Sequence, residues 1–573
     1  MKKRIKNFRL NHQLKLILTI LSVILVVLLS EIRFFRIDLT SEKRYTLSKE
    51  SISILKNLED IVYIRIYLDG DLPADLIRFR QEIKEQLHEM SAYAGRNLDF
   101  EFINLYDEQN VEIRNRRMQE IAEKGLKITD VQLRDKEGGI TTRIIFPGAI
   151  ISYGIVEFPV NLLKNNPALP YQENLQKSAE ALEYEFIKAI KSITTKKVEK
   201  IAFIEGHQEL DFYETYDISS ELSLFFQVDR GTISGDLSEV MNYKALIIAQ
   251  PKSAFSEKEK FILDQYLLHG GNLLFFLDPV EANEDSLIRG HTFTRFRELN
   301  IYDLLFRYGF RISYNLVKDL QCNYKRVQTS INQQNPVTRF LPWWYSPLLS
   351  APDSQPLTRG LNYIKTDYVS AIDTTPVAIN GLRRHVLLTT SDTAARIENP
   401  VYISMEEITK PPDRNAFNKS SLPVAILAEG TFSSFYENYG VPIGVVLSGA
   451  PVLKEGKGAV FVSGDGDMIR NDVFIQNNEL VPQTLGYDRD TRQTFGNKEF
   501  IMNVVNYMTG DKSLIQLRSR DFELRLLDRT KTRMKQVKVK WQLINSLLPI
   551  LMVVFAGILY NFGRKKRYEG KKS

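Results

Sequence analysis

Cysteine is nearly missing from this chain: the 573 residues include one, Cys322. Neither an intramolecular disulfide framework nor a multi-cysteine metal site can be built from it, and compartment is left open. Histidine is scarce as well. The six copies, His12, His88, His207, His269, His291 and His385, are far apart, and no pair has the i, i+4 spacing of a zinc helix. Proline and glycine are modest, at 21 and 30 residues against 43% hydrophobic and 25% charged. That excludes fibrous and disordered classes and predicts folded structure nearly throughout, in two to four domains.

Two catalytic signatures are absent. No G-x-x-x-x-G-K-[ST] occurs; the nearest text, Gly449 to Gly458, has the wrong spacing and no hydroxyl after Lys457, so nucleotide hydrolysis is not expected. No G-x-S-x-G elbow occurs either, and Leu320-Gln321-Cys322-Asn323 lacks the glycines of a strained nucleophile turn, so Cys322 reads as an idle thiol. There is no internal repeat or low-complexity tract. No cofactor or metal is implied.

Hydrophobic runs and basic clusters are present at both ends. Leu16 to Ser30 is uncharged and short for a bilayer span, although Lys15 can snorkel and Leu14 and Ile32 extend it. A cleaved signal peptide is the rival reading, but Ser30-Glu31-Ile32-Arg33-Phe34 lacks a small-x-small cleavage site. Trp541 to Gly563 is long enough to cross, with Pro549 as a kink. The net charge of +6 is concentrated beside these runs, which favours a membrane surface over nucleic acid. Lys2, Lys3, Arg4, Lys6, Arg9 and Lys15 place the N-terminus in the cytoplasm, and Arg564, Lys565, Lys566 and Arg567 do the same for the tail. The basic stretch Arg525 to Lys540 falls on the far side, as a head-group contact or a solvated connector.

Between the runs the periodicity is that of α/β structure. Ile61 to Leu68 alternates as a strand; Leu76, Phe79, Ile83, Leu87, Met90 and Ala94 follow at helical spacing; Leu98 to Ile103 is a second strand, predicted parallel to the first. Thr142 to Ile151 and Ile155 to Val160 read as two further strands. A long helix with Ala179, Leu182, Phe186, Ile190 and Ile193 on one face closes a first domain near Thr195. Ile201 to Ile204 and Ala245 to Ala249 are apolar runs of the buried parallel kind. Ser256 and Glu259 form a capping box, Gly270-Gly271 stops the helix, and Leu273 to Leu277 resumes the sheet. This predicts a doubly wound, flavodoxin- or amidotransferase-like domain. Pro342-Trp343-Trp344-Tyr345 reads as an aromatic loop, with strand-like pieces near Val386, Val424 and Val445. Ala459 to Ser463 is a last strand before Gly464-Asp465-Gly466-Asp467, and Glu499 to Met508 is helical.

Three spots are candidate ligand sites. Gly206, His207 and Glu209 follow a strand, as an acid–base pair, a ligand grip or a plain glycine turn. Asp465 and Asp467 are paired carboxylates for a cation, or turn caps. Trp343 and Trp344, with Tyr345, supply a sugar platform, a partner anchor or core. In the second apolar run, Asn545, Ser546 and Asn561 are costly against lipid and are candidates for contact with a partner helix, or for a place near the membrane interface, which suits Asn561 best.

Ile37-Asp38-Leu39-Thr40, Arg44-Tyr45-Thr46-Leu47-Ser48, Leu182-Glu183-Tyr184-Glu185, Gly206-His207-Gln208-Glu209, Asp264-Gln265-Tyr266 with Gly270-Gly271, Pro342-Trp343, Gly464-Asp465-Gly466-Asp467 with Asn471, and Gly496-Asn497-Lys498 occur in order. In these the chain resembles the gliding-motility-associated ABC transporter auxiliary subunits of Bacteroidetes, the GldG family, nearly end to end. The resemblance implies an inner-membrane protein working with a separate permease and ATPase subunit. Its second domain resembles an α/β binding module shared with intraflagellar-transport proteins, and no catalytic residue carries over. The layout expected is an anchor in 1–33, periplasmic α/β domains in 34–195 and 196–515, a basic connector in 516–540, a transmembrane helix in 541–563 and a cytoplasmic tail in 564–573. The alternatives are a stand-alone periplasmic binder of glycan or peptide and, more remotely, a hydrolase on an amidotransferase-like sheet.

Overall fold

The computed structural model describes residues 18–20, 22, 46–134, 140–163, 170–195, 199–283, 286–287, 290–328, 338–351, 357–358, 361–374, 381–476, 478–510 and 535–569. Described residues up to 510 belong to one compact unit and the C-terminal helix to a second. Most of the first apolar run, the basic N-terminus, residues 37–45 and most of the 525–540 stretch lie outside the described residues.

Helix α1 (Lys49–Lys56) is capped by Ser48, whose hydroxyl accepts from Ser51 N at 3.0 Å. Strand β1 (Val62–Ile66) follows, its Val62, Ile64 and Ile66 fully buried and Tyr63 and Arg65 on the other face. Helix α2 (Ala74–Ala94) covers the apolar face with Leu76, Phe79, Ile83, Leu87 and Met90, at the expected spacing. Strand β2 (Leu98–Phe102) pairs parallel with β1, as a β-α-β unit requires.

Two expectations need correction here. Thr142 to Ile151 is not one strand. After α3 (Val111–Glu123) and β3 (Thr129–Arg134), β4 (Ile140–Ile145) pairs only with β3, and Phe146-Pro147 separates it from β5 (Gly148–Tyr153), which joins β1. Proline cannot donate to a ladder, so the chain changes sheet there. With β6 (Val156–Asn161) the main sheet has the order β2-β1-β5-β6. The long helix is also two: α4 (Tyr171–Glu180) and α5 (Leu182–Thr194) meet at Ala181. Leu182, Phe186 and Ile190 keep the predicted face and are buried.

The larger sheet begins with β7 (Lys200–Glu205), then α6 (Tyr216–Leu222), β8 (Gln227–Thr232), β9 (Ala245–Ala249), α7 (Glu257–Leu268) and β10 (Asn272–Phe276). Strands β8, β7, β9 and β10 are mutually parallel in that spatial order. All residues of β9 and β10 are buried, so helices must cover both faces. The capping box of Ser256 and Glu259 forms as read. Gly271 is obligatory, since a Cβ there would lie 2.3 Å from the Tyr266 ring.

After β10 the chain makes an excursion of short antiparallel pairs. Strand β11 (Asn315–Asp319) pairs with β15 (Ala394–Glu398), and β12 (Cys322–Gln328) with β13 (Thr338–Leu349). The aromatic quartet read as a loop is thus the middle of β13. Its Trp343, Trp344 and Tyr345 are buried in a separate hydrophobic cluster with Phe417 and Tyr368. Cys322 is buried in the same cluster. The sheet is completed by β14 (Leu382–Thr389), β16 (Pro423–Ser433) and β17 (Glu455–Ser463), in the final order β14-β16-β17-β10-β9-β7-β8. Strand β17 is parallel to β10, β16 is antiparallel to β17, and β14 is antiparallel to β16 and so runs in the direction of β10. Val445 lies in the β16–β17 connection and not in a strand. Helix α8 (Asn497–Thr509) returns to cover the sheet, placing Phe500 on Phe461. One core cluster runs from Leu47 through both sheets to Met508.

In the second unit, α9 (Lys535–Glu569) is a 35-residue helix with Pro549 inside, about 50 Å long at the α-helical rise. Within it Leu543–Lys565 is long and apolar enough to cross a membrane.

Candidate functional site

The strand register sets up the site. Ala249, Phe276 and Ser463 sit level at the carboxyl ends of β9, β10 and β17. Gln250 comes next after β9, while Asp278 and Asp465 each stand two residues beyond their strands. Carboxylates from separate segments therefore converge at the sheet edge where doubly wound folds place ligands. Asp467 joins them, and oxygens of Asp278, Asp465 and Asp467 all lie within 4.8 Å of one another. Two glycines permit the approach: a Cβ on Gly464 would meet Ser370 O at 2.0 Å, and one on Gly466 would meet Gln250 Cγ at 2.5 Å.

Hydrogen bonds compensate this charge only in part. Gln250 Nε2 donates to Asp278 Oδ2 at 2.6 Å and to Asp467 Oδ1 at 2.9 Å. Gly466 N donates to Asp278 Oδ1 at 2.6 Å. Asp465 Oδ1 accepts from Asp467 N at 2.8 Å, and its Oδ2 from Asp367 N at 3.2 Å, so this residue does cap the turn. Burial, then the charges of Asp467 and Asp278, push the Asp465 carboxyl well above the usual carboxylate range. Burial followed by Asp467 raises Asp278 to about 6. The three carboxylates have the oxygen chemistry of a hard-cation site, but the same oxygens are already used to hold two loops together.

Cations flank the cluster. Arg470 Nη1 pairs with Asp467 Oδ1 at 2.8 Å. Arg297 Nη1 lies 3.9 Å from Asp278 Oδ2, and this buried nitrogen makes no hydrogen bond. Lys365 bridges Asp367 at 3.5 Å and Asp488 at 3.3 Å; burial opposes its charge, and these carboxylates outweigh burial, so its pKa is raised. These cations, with Asp278, Asp367, Asp467 and Asp488, line one cleft of about 470 Å³ walled by Tyr324, Trp343 and Tyr368, whereas the fully buried Asp465 does not line it. Of the aromatic quartet, Trp343 reaches the cleft; Trp344 packs against Phe417, and the Tyr345 hydroxyl donates to Glu407 Oε2 at 2.8 Å.

The loop after β7 is built differently. His207 is 4% exposed and stacks on Phe255 with ring centroids 3.8 Å apart. Its Nδ1 lies 3.0 Å from Glu209 Oε1 and its Nε2 3.3 Å from Glu259 Oε2, while its backbone N–H donates to Glu209 Oε2 at 2.6 Å. Burial opposes protonation, but hydrogen bonds to Glu209 and Glu259 outweigh it and raise the imidazole to about 9. Glu259 in turn falls to about 2, with the His207 and Ser256 hydrogen bonds overcoming burial. His207 and Glu209 are committed to each other and do not line the cleft. Gly206, at φ 120, supplies the left-handed turn.

Sequence motifs far apart meet in the fold. Glu183 Oε1 accepts from Ser48 N at 2.7 Å and Ser51 Oγ at 2.6 Å. Asn471 accepts from Asp217 N at 3.2 Å and donates to Tyr213 O at 2.8 Å, while Lys498 Nζ pairs with Asp217 Oδ2 at 2.9 Å. In α9, Asn545, Ser546 and Asn561 are exposed.

A family described as an ABC-type uncharacterized transport system matches residues 199–504, from the start of β7 into α8. The chain belongs to that family. A domain of unknown function matches residues 41–152 of this family member. Among solved structures, the mmIFT52 N-terminal domain is 13% identical, with 55% of this chain and 98% of that one covered and a TM-score of 0.31. A β-galactosidase from Rahnella sp. R3 is 11% identical, with 58% and 35% covered and a TM-score of 0.25. Neither likeness is close enough to carry a functional argument. No curated protein matches the chain.

Proposed function

We propose that this family member is a non-catalytic, membrane-anchored auxiliary subunit of an ABC transporter linked to gliding motility or its associated secretion machinery. The observation that carries this reading is the family match across the whole seven-stranded sheet. The ordered motifs of the gliding-motility auxiliary subunits support the finer assignment. The sequence holds no phosphate-binding loop of its own, so ATP hydrolysis falls to a partner ATPase and passage to a partner permease. In this reading both termini are cytoplasmic, the two α/β domains (34–195 and 196–515) are periplasmic, and the protein sits in the inner membrane. The polar Asn545, Ser546 and Asn561 of α9 face a permease helix, and ATP-driven motion of the permease is passed to the periplasmic domains through the spans. The pairing of His207 with Glu209 and Glu259 supports a structural use of the one acid–base pair that the sequence offered.

Purification of the tagged chain from its own membranes in mild detergent, with mass spectrometry of every stoichiometric companion, tests this. A permease and an ATPase in fixed ratio are expected. A solitary protein would sink the subunit reading. It would favour a stand-alone periplasmic binder of glycan or peptide, for which the cleft with its unsatisfied Arg297 nitrogen and aromatic wall is the supporting observation.

A further inference from the structure

The cleft beside the carboxylate cluster is lined by charge of both signs, and most of that charge is already paired. Arg470 is held by Asp467 at 2.8 Å, and Lys365 lies between Asp367 and Asp488. Asp488 in turn accepts from Thr491 N at 2.8 Å and from the Thr491 hydroxyl at 2.6 Å. The Arg489 guanidinium lies over Phe474, 4.8 Å from the ring centre. Lys325 Nζ lies 5.1 Å from the centre of the Trp343 ring, and Trp343 is only 3% exposed, so this ring is no open stacking platform. Such mutually satisfied groups stiffen the walls.

Arg297 is the exception. Its side chain is 10% exposed, yet Nη1 makes no hydrogen bond: it stops 3.9 Å from Asp278 Oδ2, and Nη2 stops 3.5 Å from Glu281 Oε2. A buried guanidinium donor without an acceptor is costly, and this one is aimed at the cluster. The acceptors it faces are also incompletely used. Asp467 Oδ1 takes both Gln250 Nε2 and Arg470 Nη1, which leaves Oδ2 for another donor. Asp278 Oδ2 takes one amide N–H, from Gln250, among the described residues, and a carboxylate oxygen has room for two.

An open donor 3.9 Å from an open acceptor calls for a ligand that carries both charges close together. An ammonium has three N–H groups to offer the Asp278 and Asp467 oxygens, and the buried Asp465 adds its field from behind. A carboxylate supplies the oxygen that Arg297 lacks, in a charge-assisted bond. An α-amino acid holds these two groups on one carbon. A divalent metal fits less well, because each Asp465 oxygen already accepts from a backbone N–H and two guanidinium groups flank the cluster. The 470 Å³ of the cleft leaves room for a side chain and falls within the range of small-molecule sites, roughly 300–1,000 Å³. The backbone of the walls agrees with this use. Gln250 and Tyr368 line the cleft at left-handed φ of 55 and 53, a conformation that residues with side chains keep only where their surroundings impose it, often at ligand sites.

We propose that this cleft binds a free α-amino acid, with its ammonium on Asp278 and Asp467, its carboxylate on Arg297 and its side chain in the remaining volume. All the residues named lie within the family-matched region. The inference goes beyond the subunit role and does not rest on the partners proposed above: it gives the domain a ligand whether or not a permease accompanies it.

The full chain in detergent is titrated by calorimetry with each proteinogenic L-amino acid, then with the N-acetyl and carboxamide derivatives of the strongest binder, with trialanine, with maltotriose and with calcium chloride. Saturable binding of at least one amino acid is expected, weakened about tenfold or more by blocking either end. Arg297→Gln should weaken the free amino acid by a similar factor and leave the carboxamide derivative, which has no carboxylate to lose, unchanged. The blocked ligands are tested on the wild-type chain, so a folding defect in the variant does not decide the outcome. Failure of every amino acid to bind overturns the proposal, as does equal affinity for the blocked derivatives. Binding of trialanine, maltotriose or calcium in place of amino acids overturns it as well and assigns the cleft to that ligand class. None of these results touches the subunit reading, which the companion proteins decide.

Discussion

Two loops at the same sheet edge, after β7 and after β17, carry the same sequence signal: an apolar strand, a glycine, then polar residues. Their interiors differ. At His207 one buried imidazole lies between two carboxylates, each ring nitrogen has a carboxylate partner within 3.3 Å, and the ring stacks on Phe255. At Asp465 the three carboxyl groups are met by the Gln250 amide, three backbone N–H groups, Arg470 on Asp467 and a more distant Arg297, and Asp278 and Asp467 border an open cleft. Buried charge that is compensated serves the fold. Buried charge that is compensated only in part carries a standing electrostatic cost and is the better candidate for a ligand site.

The sharpest way to break this contrast is at His207. His207→Ala leaves Glu209 and Glu259 facing each other without their shared cation, which costs about 3–5 kcal/mol when a buried pair is broken this way. Denaturant unfolding of the full chain in detergent, followed by tryptophan emission, reads the loss. The pH dependence has a definite sign. With the folded value near 9, above the usual 6.5, the stabilisation is complete below 6.5 and disappears as pH rises through about 9. Wild-type stability should fall across that window, whereas a flat profile would mean that His207 is neutral and the loop is not held by charge.

Next in size is Gly464→Ala. The clash at 2.0 Å is with Ser370 O, a backbone atom that also lies beside the Ser370 N–H to Gly464 O bond of 2.8 Å, so neither side can yield cheaply. A loss of about 1–3 kcal/mol is expected, together with weakening of any ligand the cleft holds. At Gly206 the nearest atom to an added Cβ is 3.5 Å away, and the backbone φ of 120 alone opposes substitution, so Gly206→Ala should cost less. Equal costs in the same unfolding assay would remove the argument that close packing of the second loop matters.

The physics explains what was legible. Strands β7, β9 and β10 are short apolar runs because both faces are buried, and the capping box and Gly271 fixed the helix between them. Strand β8 leaves no apolar run to read because it is an edge strand with no fully buried residue. The excursion between β10 and β16 escaped for a different reason: partners such as Asn315–Asp319 and Ala394–Glu398 lie far apart in sequence. At the site, Asp465 and Asp467 were readable from their glycines. Asp278 was equally readable in principle, since it follows its strand at the same two-residue offset. Gln250, Arg297 and Asp367 were not, because their convergence depends on register and on the course of the excursion.

The smallest effect separates the two loops by pH. Burial, and after it the Asp467 charge, hold Asp278 at about 6. A carboxyl whose folded value exceeds its usual one contributes stability that is complete in acid and lost as pH rises through the folded value. The wild-type chain should therefore lose stability between about pH 4 and 6 from this group, below the His207 window. Asp467→Asn removes the largest charge term and should shrink that decline by about 1 kcal/mol. The change also leaves Arg470 without its partner, but guanidinium stays charged throughout. That loss shifts the whole curve and leaves its slope in this range alone. Unfolding midpoints at pH 4 and pH 6 for both chains decide the matter: an unchanged slope in the variant would show that the three carboxyl groups do not share one field, and the contrast with His207 would fail.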